Sequence, residues 1–201
     1  MRTTATSAIF ALALATVDCA AHPGTPSTPS GTSLRRSAAA TAPIGGAVAP
    51  VSVAELTTGL PDSVRRDVER LRRATNAFHD FPAAAAAGYP TSMASCAADS
   101  TMGAMGYHFV DRPAFDAKLD VEHPEMLVYE PKGDGRAELV AVEYVVPYQF
   151  APRDGPPPHL FGRALKQWDK FNYWEIHVWA WRKNPAGIFA DWNPEIRCPK
   201  A

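Results

Sequence analysis

Val64, Val68, Leu71, Thr75 and Phe78 recur at the three- and four-residue spacing of an amphipathic helix. Pro61-Asp62 supplies a stop-and-cap signal just ahead of that stripe. The other faces carry Arg65, Arg66, Arg70, Arg72 and Arg73, interrupted by Asp67 and Glu69, which reads as a solvated helix face. The alanine run 83–87, closed by Gly88, predicts a second short helix with a glycine stop. Beyond it the pattern turns to strands, at 107–110, 126–130 and 139–146. Lys132-Gly133-Asp134-Gly135 joins the last two as a hairpin. Residues 160–168 read as a short helix and 173–181 as the strongest strand. Asn184-Pro185-Ala186-Gly187 is a turn, after which 188–192 is expected to pair back as a short strand. The fold expected is α+β: N-terminal helices packed on a curved antiparallel sheet in a single domain, 53–201.

The first fifty residues have another character. Met1-Arg2 gives a positive start, 5–17 is mostly apolar, and Cys19-Ala20-Ala21 offers small residues for cleavage, so 1–21 reads as a signal peptide. The apolar run is shorter than the roughly 18–20 residues that span a bilayer. Cys19 is also a candidate for lipid attachment, although Asp18 stands where lipoprotein signals place a small residue. Residues 22–52 are Pro, Ser, Thr, Ala and Gly with few large apolar groups, the composition of a disordered tether. The expectation is an exported chain, periplasmic or extracellular, touching a membrane only through a lipid at Cys19.

Export changes the reading of the cysteines. Cys96 and Cys198 are the pair left in the domain, and in an oxidising compartment they are expected to form a disulfide rather than to ligate metal, since no Cys-x-x-Cys spacing accompanies them. Charge removes one class of partner. The chain carries −1; Arg2 and Asp18 cancel and Arg35 and Arg36 fall in the tether, which leaves −3 on the domain. A mildly acidic domain lacks the footprint of a nucleic-acid binder.

The candidate chemistry comes from anomalies in the strands. Alternation puts Tyr173, Glu175, His177, Trp179 and Trp181 on one face of the last strand, and Leu139, Ala141, Glu143 and Val145 on one face of the strand before it. An acid and an imidazole in such apolar strands need partners, because burying them unpaired is costly. Glu143 and His177 are expected to meet across the sheet. With His108, and His123 as a candidate fourth member, they form a two-His, one-carboxylate set suited to zinc, copper or iron. Met102 and Met105 near His108 lean toward copper. Two alternatives stand beside this set. In one, Glu143 orients His177 as a general base of a small periplasmic enzyme. In the other, the groups only stabilise the core of a structural envelope protein. An apolar pocket beside them would suit a small ligand, and five tryptophans are available to line it or to fill the core. No nucleophile elbow, phosphate-binding loop or dinucleotide fingerprint is present, so the sequence specifies no reaction.

Several stretches form a recognisable combination: Gly103-Ala104-Met105-Gly106-Tyr107-His108-Phe109, Pro124-Glu125-Met126-Leu127-Val128-Tyr129-Glu130-Pro131, Val142-Glu143-Tyr144, Pro158-His159-Leu160-Phe161-Gly162, and the run from His177-Val178-Trp179 through Asn184-Pro185-Ala186-Gly187 to Trp192-Asn193-Pro194 and Cys198. On these motifs, over roughly 75–200, the chain resembles a family of exported bacterial proteins of unassigned function. The resemblance implies an exported single domain and lends no activity. Relatives in that family carry a His- and Met-containing segment before the His-Val-Trp strand; here it is Gln167-Trp168-Asp169-Lys170-Phe171-Asn172, with neither residue.

Overall fold

The computed structural model describes residues 51–132 and 135–199. The signal segment, Cys19 and the tether up to residue 50 lie outside the described residues. Ser52 caps the first helix, α1 (Val53–Leu56), its hydroxyl accepting from the Glu55 amide. The periodic stripe forms α2 (Asp62–Thr75), which buries Val64, Val68, Leu71 and Thr75. Pro61 stands at the cap position without a side-chain bond, and Asp62 begins the helix instead, paired with Arg65. A 3-10 turn (Asn76–His79) leads to α3 (Phe81–Ala86), and Gly88 follows with a positive φ.

The strands are β1 (Thr91–Ser92), β2 (Ala97–Asp99), β3 (Gly103–Val110), β4 (Met126–Pro131), β5 (Ala137–Pro147), β6 (His159–Leu160), β7 (Arg163–Ala164), β8 (Lys166–Trp168) and β9 (Tyr173–Val178). Seven make one antiparallel sheet, in the order β1-β3-β4-β5-β9-β8 with β2 also on β3; β6 and β7 form a separate small hairpin. The α+β class is thus observed. One face of the sheet presents Leu127, Tyr129, Val142, Tyr144 and Ile176 to the core that includes Val64, Val68 and Leu71 of α2. Buried phenols bond across it: Tyr129 donates to the Phe78 carbonyl and Tyr144 to that of Val121. The opposite face carries His108, Glu143, Glu175 and His177.

Three local expectations change. Residues 160–168 are not helical. Phe161 and Gly162 both take positive φ, turning the chain into the β6–β7 hairpin, and Lys166 and Trp168 then pair with Glu175 and Tyr173 as an edge strand. The last strand stops at Val178, and 188–192 is not a strand; the Trp179 amide bonds the Ile188 carbonyl, and just past the segment Asn193 and Ala104 exchange a reciprocal pair of backbone bonds. Leu139 lies with Tyr129 on the helix side, because the β4–β5 register slips at Val140. The expected disulfide is present: Cys96 and Cys198 are bonded with Cα atoms 5.7 Å apart, tying the end of the chain to the start of β2.

Candidate metal or ligand site

Register builds the site. Glu143 on β5 is the direct cross-strand partner of His177 on β9, so their side chains leave the sheet on the same face. His108 stands on β3, two strands from Glu143, with β4 between them. Its rung neighbours are Val128 and Ala141, and the imidazole reaches over β4 to Glu143. His108 Nε2 lies 3.3 Å from Glu143 Oε2 and 3.2 Å from His177 Nε2, and His177 Nε2 lies 3.8 Å from Glu143 Oε2. The sequence-predicted trio therefore converges. All three residues are buried. His123 does not join them; its side chain is 78% exposed and bonds Asp120 at 2.9 Å. Met102 is exposed as well, whereas Met105 is buried against the site.

Glu175 and Lys166 complete the arrangement. Glu175 Oε2 lies 3.0 Å from His177 Nδ1. A proton on Nδ1 donates to that carboxylate and leaves the Nε2 lone pair of His177 facing His108 and Glu143. Glu175 Oε1 lies 3.3 Å from Lys166 Nζ yet makes no hydrogen bond. Lys166 also pairs with Asp191. The second carboxylate was readable as the same-face neighbour two residues before His177. Lys166 was hidden by the helical reading of its segment.

Environment sets the protonation states. Burial, with His177 beside it, pushes His108 down to about 3, so the ring is neutral at pH 7. Burial also raises Glu143 well above the usual carboxylate range, and the neighbouring charge of Glu175 adds to the effect. Glu175 is buried too, but its bond to His177 and the charge of Lys166 outweigh that burial and hold it at about 2. The two carboxyls are thus pushed in opposite directions, Glu175 toward the anion and Glu143 toward the neutral acid. The Tyr173 phenol, buried beside both, is raised far above its ordinary value.

In chemical terms, Glu143 and the two histidines offer two imidazole nitrogens and one carboxylate oxygen, all within 4.8 Å of one another. Two ligands at zinc-like bond lengths in tetrahedral geometry stand about 3.3 Å apart, close to the spacings above. Among the described residues a second such group, Glu175, His177 and Asp191, overlaps the first and is already engaged by Lys166.

The trio floors a cavity of about 290 Å³. Its walls are the 93–98 segment, carrying Cys96, and the aromatic side chains of Trp168, Phe171, Tyr173 and Trp192. The chain matches no protein-family model, and comparison with the curated proteins and with the solved structures finds no match either.

Proposed function

We propose that this is an exported domain that binds a divalent metal ion, zinc, copper or iron, through His108, Glu143 and His177. The observation that carries the reading is the convergence of the two Nε2 atoms and Glu143 Oε2 at 3.2–3.8 Å on the floor of a cavity. Glu175 supplies the outer carboxylate that fixes the tautomer and orientation of a ligating histidine. A cation here would replace the proton on Glu143 and relieve the contact between two imidazole edges. The cavity side would remain for water or a ligand, as in sites that do more than hold structure. Export rests on the signal-like segment together with the disulfide, a bond that persists in oxidising compartments.

The deciding experiment is elemental analysis of the mature, untagged domain, purified without chelators, beside His108→Ala and His177→Ala variants checked for folding by circular dichroism. One metal per chain in the wild type, lost in both folded variants, supports the centre. A wild type that stays metal-free after exposure to zinc, copper and iron removes it. A second reading is then favoured by the 3.0 Å contact on His177 Nδ1: a general base oriented by a carboxylate, with Glu175 rather than Glu143 as the orienting group.

A further inference from the structure

The cavity above the trio has a chemistry of its own. Phe171 and Tyr173 stack nearly parallel, 12° apart with centroids 5.8 Å apart, and both line the cavity. Trp168, Trp192 and Met105 supply further apolar wall. At about 290 Å³ the space matches the lower end of small-molecule pockets, which fits a single ring with a short substituent rather than a nucleotide or an oligosaccharide. The acids lining it are Glu143 and Glu175; Glu143 faces both histidines, and Glu175 is paired with Lys166 and His177. The remaining charged group in the lining is Lys170, whose Nζ sits 5.3 Å from the centre of the Phe171 ring and forms no carboxylate pair among the described residues. Phe171 itself is 40% exposed. A cation over an aromatic wall, at the mouth of a pocket floored by imidazoles, selects a flat anion.

We propose that this cavity binds a monocyclic arene carboxylate, its ring against the Phe171–Tyr173 face and its carboxylate held between Lys170 and the His108/Glu143/His177 floor. The carboxylate's second anchor rests on the metal reading above, since a divalent ion with one ligating carboxylate leaves the floor positive. Ring recognition does not depend on that reading, so the two can fail separately.

The test is isothermal titration calorimetry of the mature domain with benzoate, acetate and benzyl alcohol, on zinc-loaded and chelator-treated protein whose zinc content is measured. Saturable binding of benzoate at one site per chain, at least tenfold tighter than acetate or benzyl alcohol, is expected, and Lys170→Gln should weaken it about tenfold. Zinc-loaded protein should bind benzoate more tightly than the treated protein. Equal affinity in the two, or protein that takes up no zinc, with benzoate still bound in a Lys170-dependent way, keeps the arene site and removes the metal from it. Benzoate binding no better than acetate, or unaffected by Lys170→Gln, overturns the proposal.

Discussion

Glu143 and Glu175 show how identical side chains acquire opposite states from their company. Both are buried on one sheet face, but Lys166 and His177 Nδ1 attend Glu175, while Glu143 faces the Nε2 edges of two histidines. Because burial favours the protonated form of Glu143, a binding cation has to displace that proton. Zinc affinity should therefore rise with pH until that carboxyl ionises by itself. Calorimetric zinc titrations in two buffers of different ionisation enthalpy should report a released proton that disappears in Glu143→Gln. Replacing Glu175 with Gln should cost about 10–100-fold in zinc affinity while leaving the fold intact, as loss of an outer carboxylate usually does.

Glu125 makes a separate prediction, away from the centre. Burial pushes it up to about 8 even though the Val145 amide donates to it at 3.1 Å. Its folded value lies above the unfolded one, so the stability due to the neutral acid is full below about 4.5 and is lost as pH rises toward 8. Glu125→Gln, which keeps the acceptor oxygen, should raise the melting temperature at pH 8.5 and change it little at pH 4.

Among the elements, β3 is the least tolerant. The β2–β3 register skips Met105, and Gly106 beside it has φ of +121°. A Cβ on Gly106 would lie 2.5 Å from the Tyr129 carbonyl oxygen, a backbone atom of the neighbouring strand that cannot swing aside. Gly106→Ala should therefore destabilise the domain by about 1–3 kcal/mol, the usual cost of such strain. It should also weaken zinc binding, because His108 is two residues away on the same strand. Chemical denaturation and zinc titration of the variant measure the two effects.

The same element explains what could be read beforehand. Glu143 facing His177 was legible, because alternation holds on either side of both residues, beyond the slip at Val140, and the cross-strand register then does the rest. Convergence of His108 was only guessable, since it depends on β4 lying between the two strands and on the register of both pairings. The 160–168 segment misled because Phe161, Leu165 and Trp168 fall at the i, i+4, i+7 spacing of a helix, while the positive φ at Phe161 turns the chain into the hairpin instead. The pairing of 188–192 survived only as isolated bonds, since the turn residues before it do not set a ladder register.

In the whole molecule one covalent link joins stability to the site. The two cysteines are separated by 102 residues, and their bond closes nearly the entire sheet into a loop. Chain-entropy reasoning assigns about 4–5 kcal/mol to a loop of that size, less if the reduced chain keeps structure. Cys96 belongs to the segment that walls the cavity, and Cys198 follows Asn193, whose backbone pairs with Ala104 at the start of β3. Opening the bond thus frees the last residues and loosens one wall, while leaving the β3–β4–β5–β9 pairings that bring His108, Glu143 and His177 together. The Cys96→Ser/Cys198→Ser double variant should lose several degrees of melting temperature, yet its zinc affinity should fall by less than that of Glu175→Gln. The arene-carboxylate affinity should suffer more than zinc, because it is the wall and not the floor that moves. An equal loss of both would mean that the 93–98 segment helps to hold His108, Glu143 and His177 themselves. Parallel denaturation, zinc and benzoate titrations of the oxidised, reduced and double-serine proteins separate these outcomes.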